Sequence, residues 1–163
     1  MSDALVAASR PADFSATPGL HAPLIAALLQ RRREHGVADA LLVVTATERE
    51  ADALRTAFEC LLPDTELLDL PAWETLPHER LSPGVETVGR RLHAIRRLRI
   101  WKQGDAPLVV VAPVRAALQP IVAGLADVEP IELKLGQRGV DLERVVERLV
   151  ALAYSRVDLV TRL

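Results

Sequence analysis

The sequence predicts an α/β fold: a parallel, doubly wound sheet with helices on both faces, followed by the start of a small α+β element. Three observations carry this. Short apolar runs, ALLVV at 40–44, ELLDL at 66–70 and LVVVA at 108–112, are each followed by a stretch of helical periodicity. That alternation persists to about Ala126, the pattern of successive βαβ crossovers. From Val128 the pattern changes to alternating apolar and polar residues on either side of one helix. The reading therefore places a first domain over 1–128 and the beginning of a second over 129–163. A lone helix with one or two strands cannot bury its own apolar faces, so the second domain is expected to be incomplete and the chain truncated at Leu163.

Taken in order, Asp3–Ser9 (DALVAAS) is a candidate strand, and Arg10–Gly19, with Pro11, Pro18 and Gly19, reads as loop. Leu20–Arg33 has helical spacing through Leu24 and Leu28 and ends at His35-Gly36, with Arg31, Arg32 and Arg33 suited to the negative end of its dipole. After the strand at 40–44, Thr47-x-x-Glu50 forms a capping box for a helix whose buried stripe is read as Leu54, Phe58 and Leu61. Pro63 closes that helix, and the strand at 66–70 leads into a loop around Trp73. A helix from about Val85 to Trp101 is read with Val88, Leu92 and Ile95 inward and Arg90 and Arg97 opposite. After the strand at 108–112, a helical stretch runs from Pro113 toward Ile121. Val128–Leu135 reads as half-buried and alternating, Gly136 and Gly139 flank a turn, and Asp141 caps a helix with Leu142, Val145, Val146, Leu149 and Val150 on its apolar side. Ser155–Leu163 begins as an alternating strand.

Composition narrows the function. The chain has 163 residues, a formal net charge of -2 and a pI near 6.1, so no global field draws it to nucleic acid or membrane. Its single cysteine, Cys60, excludes an internal disulfide and a cysteine-rich zinc site, and in its helical context is expected to be a buried, inert thiol. The amino terminus lacks a secretory signal, and Pro113, Arg115, Gln119 and Pro120 interrupt the most apolar long stretch, so a cytoplasmic protein is expected.

Ligands of an open parallel sheet bind beyond the carboxyl ends of its strands. A phosphate-binding loop there needs G-x-x-x-x-G-K-[ST], whereas this chain offers Ala16-Thr17-Pro18-Gly19-Leu20-His21, with no lysine and with a proline in place of an amide donor. Asp69 and Glu74 are the nearest approach to a magnesium-binding pair, and both read as surface or loop carboxylates. The four histidines show no ligand spacing, and no serine sits in a nucleophile elbow. No catalytic, cofactor or metal residue is assigned. Arg90, Arg91, Arg96, Arg97, Arg99 and Lys102 cluster on one helix. They read either as a solvated face paired to carboxylates or as a contact for DNA phosphates or an acidic partner. Trp73 reads as a plug at the carboxyl edge.

The stretch Leu70–Leu92 (LPAWETLPHERLSPGVETVGRRL), with Trp73-Glu74-Thr75-Leu76-Pro77, Ser82-Pro83 and Arg90-Arg91-Leu92, resembles the amino-terminal module of the bacterial transcription-repair coupling factors, itself related to the excision-repair protein UvrB. Leu41–Ala53, Val109–Gln119 and Lys134–Val160 are similar to the same module, Tyr154–Val160 (YSRVDLV) being the most specific of these, while residues 1–40 keep only the plan of a nucleotide-binding fold. The resemblance implies a degenerate, helicase-like domain that has lost its ATP site, followed by the opening of a domain that recruits UvrA. It also implies RNA polymerase and DNA as partners of the rest of such a factor. Arg156 carries over as a contact for a partner, beside Arg90 and Arg97 from the basic helix. The rival readings are a residual nucleotide-binding lobe and a free-standing DNA-binding domain.

Overall fold

The computed structural model describes residues 13–36, 40–74, 83–152, 154 and 156–157. Contacts divide the chain into two compact units, Met1–Asp127 and Val128–Leu163. The first contains, in order, helix α1 (Pro18–Glu34), strand β1 (Ala40–Thr45), helix α2 (Glu48–Leu61), strand β2 (Glu66–Asp69), helix α3 (Val85–Ile100), strand β3 (Leu108–Pro113) and the short helix α4 (Val114–Leu118), with a 3₁₀ turn at Leu125–Asp127. The second contains helix α5 (Leu142–Ala151).

The three strands are parallel in the order β1-β3-β2, with Ala40 and Glu66 both in register with Leu108. Every residue of β3 is buried, as its unbroken apolar run requires of a central strand. Its alternate side chains feed two cores. Val109 and Val111 pack with Ala22 and Leu29 of α1 and with Ala51 and Phe58 of α2. Leu108, Val110 and Ala112 face the other way and pack with Leu68, Leu70, Ala94 and Ile95, and with Ala116 of α4. β3 is thus covered on both faces, while Leu42 and Val44 of β1 remain exposed.

Local chemistry sets the element ends. Helix α1 starts two residues earlier than its sequence suggests, because Pro18 takes the first helical position, where a missing N–H costs nothing; Pro18 and Gly19 are therefore helix rather than loop. The Thr47 side chain accepts from the Glu50 amide at 3.2 Å, and the Glu50 carboxylate accepts from the Ala46 amide at 3.1 Å, so the capping box closes one residue early. Leu70 lies past β2 yet still donates its amide to the Val111 carbonyl at 3.0 Å. Helix α4 stops at Leu118 rather than running toward Ile121, since Gln119 turns back to the Trp73 loop and Pro120 follows.

Several side-chain expectations are corrected. Cys60 is exposed, because it lies about 200° around the helix from buried Phe58 at 100° per residue. Leu61 is likewise exposed, and half-buried Leu62 packs against the core instead. On α3 the inward residues are Thr87, Arg91, Ala94 and Ile95, one position off the expected Val88–Leu92 stripe, and Leu92 is exposed.

In the second unit, Val128–Leu135 forms no strand. Gly136 and Gly139 both adopt positive φ (78° and 74°), which suits glycine at a turn. The Asp141 carboxylate caps α5, accepting from the amides of Glu143 at 3.0 Å and Arg144 at 3.3 Å. Val145, Val146 and Leu149 are half-buried there, while Leu142 and Val150 are exposed. Arg156 and Val157 are not in a strand. The strand expected over Asp3–Ser9, and most of the one expected over Ser155–Leu163, lie outside the described residues.

Candidate interaction surface at the carboxyl edge of the sheet

The strands deliver three segments to one edge: Ala46-Thr47 after β1, Leu70–Glu74 after β2, and α4 with Gln119 after β3. The last two are stitched together through Trp73. Its amide donates to the Gln119 side-chain oxygen at 2.9 Å, and its carbonyl accepts from Arg115 Nη2 at 2.5 Å. The Arg91 guanidinium lies 4.6 Å from the centre of its ring, within cation–π range.

Arg91 is 1% exposed and donates through Nη1 to the Pro71 carbonyl at 2.6 Å, while its Nε has no hydrogen-bond partner. Burial pushes its pKa down from the usual arginine value, yet a guanidinium stays charged in proteins. The side chain therefore acts as a clamp, with an aromatic face and a carbonyl standing in for water.

Glu74 fixes the other side of the loop. Its carboxylate accepts from the Gly84 amide at 2.8 Å and from the Thr87 hydroxyl, so it caps the start of α3 from outside the helix. These two donors, that of Thr87 foremost, hold its carboxyl below the usual range. A Cβ on Gly84 would lie 3.2 Å from that carboxylate, a tight contact that the Glu74 side chain would have to shift to relieve.

The three arginines singled out by sequence are placed as follows. Arg90 pairs with Asp69 at 2.8 Å and approaches Glu86 at 3.8 Å. Arg97 makes two bonds to Glu66, Nε to Oε1 at 2.6 Å and Nη2 to Oε2 at 2.5 Å, which lowers the Glu66 pKa and raises its own. Arg156 is exposed in the second unit. Arg99 of the same basic helix pairs with Asp127 at 3.2 Å. Much of the helix's positive charge is therefore answered within the first unit, and Arg91 faces inward. Beside Asp69, the Glu48 carboxyl is pushed up, first by burial and then by Asp69 and Asp52.

A cleft of about 520 Å³ opens between α1, β1 and α2. Among the described residues its lining includes His21, Ile25, Val43, Leu54 and Glu50, and no lysine or arginine. His21 Nε2 lies 3.1 Å from the Ala16 carbonyl, bound to its own loop. Among the described residues no group of three or more His, Cys, Asp or Glu could hold a metal ion. Among them, too, no helix is long and apolar enough to cross a membrane.

Sequence reasoning did not single out Arg115 and Gln119, and it placed Arg91 on a charged surface. The available signal was the i, i+4, i+7 spacing of Thr87, Arg91 and Ala94, directed at a loop carrying tryptophan.

No family model matches the chain. Two curated proteins do, each 53% identical over 127 residues and 75% of this chain: the transcription-repair-coupling factors of Mycobacterium bovis (strain ATCC BAA-935 / AF2122/97) and Mycobacterium tuberculosis (strain CDC 1551 / Oshkosh). The match covers 10% of either relative's length.

Proposed function

We propose that this chain, a relative of the transcription-repair-coupling factors through one part of their sequence, is a non-catalytic interaction module of transcription-coupled DNA repair. In this reading it resembles UvrB, and it serves the recruitment of UvrA in nucleotide excision repair. The observation that carries the proposal is the 53% identity over 127 residues. The edge geometry supports the non-catalytic part: loops that would close on nucleotide are occupied with one another through Trp73, Arg91, Arg115 and Gln119. Among the described residues the cleft between α1, β1 and α2 offers Glu50 and no lysine or arginine, which disfavours phosphate. RNA polymerase and DNA are partners of the longer factor in this reading. Arg156 is the contact assigned to UvrA, with Arg90 and Arg97 as secondary candidates.

The test is a titration of the chain with purified UvrA, alone and as Arg156→Glu. Saturable binding weakened at least about tenfold by the substitution supports the assignment; no binding at micromolar concentrations removes UvrA recruitment by this chain. A parallel calorimetric titration with ATP and magnesium is expected to be flat. Heat that saturates at millimolar ligand would favour the residual nucleotide-binding reading instead.

A further inference from the structure

We draw no further inference here: the strongest candidate, the largely apolar cleft between α1, β1 and α2 at the carboxyl edge of the sheet, belongs to the surface already described, and nothing in the structure shows what fills it.

Discussion

On one face of β3, Val109 and Val111 meet Leu29, Ala51 and Phe58 in a wholly apolar layer. On the other, Val110 and Ala112 meet Ala94 and Ile95, but α3 also turns Thr87 and Arg91 inward toward a loop of carbonyls, a carboxylate and an indole. The first layer is held by area and shape, so it tolerates apolar side chains of suitable volume. The second is held partly by named partners at fixed distances, and such polar networks fail when one member is removed. The difference shows which part of the domain is scaffold and which part has its surface geometry specified residue by residue.

The sharpest way to break the first layer is Phe58→Ala, which deletes a fully buried ring. A loss of about 3–5 kcal/mol in denaturant unfolding is expected, with the Trp73 environment unchanged until the global transition. Arg91→Ala is expected to cost somewhat less, about 2–4 kcal/mol, by opening a cavity and stranding the Pro71 carbonyl. Arg91→Met sharpens the contrast, since it restores volume without a donor. If the methionine variant matches the parent in stability and near-ultraviolet dichroism, the guanidinium is filler and the two layers are alike.

A smaller effect belongs to the rim. A double-mutant cycle on Glu66 and Arg97 is expected to give a coupling of about 1 kcal/mol, the partial exposure of both groups screening the pair. Because the folded state depresses the Glu66 pKa, this contribution is complete above the ordinary carboxylate range. It is lost as pH falls through the folded value, and Glu66→Gln should remove that part of the acid dependence. Thr47→Ala, which deletes the cap of α2, is expected to cost about 1 kcal/mol. Cys60→Ser, on the exposed side of the same helix, should stay within about 0.5 kcal/mol.

Legibility in the sequence divided along the same line. The described strand and helix positions of the first unit were readable because apolar runs and periodicity act locally. The Thr47 and Asp141 caps were readable because a cap is a contact between near neighbours. The inward face of α3 was not. Periodicity ranks side chains by hydrophobicity, and it put Val88 and Leu92 inside; the structure prefers Thr87 and Arg91 because loop residues Pro71, Trp73 and Glu74, remote in sequence, supply partners for them. The same reason hid Arg115 and Gln119, whose partner is a backbone 42 and 46 residues away. The expectation of a strand over Val128–Leu135 failed differently, since alternation describes a surface and a strand also needs a neighbour to bond.

The buried guanidinium has one more consequence, for how this loop is reached. A buried lysine or carboxylate can shed its charge while its surroundings are still imperfect, so a half-built site is tolerable. Arg91 has no such exit, because it remains a cation at any pH at which the chain is folded. Until the Pro71 carbonyl and the Trp73 ring are both in place, the low-dielectric site rejects it, and once they are, it holds them. The loop should therefore assemble in one step, seated or unseated, with partly docked arrangements too costly to populate.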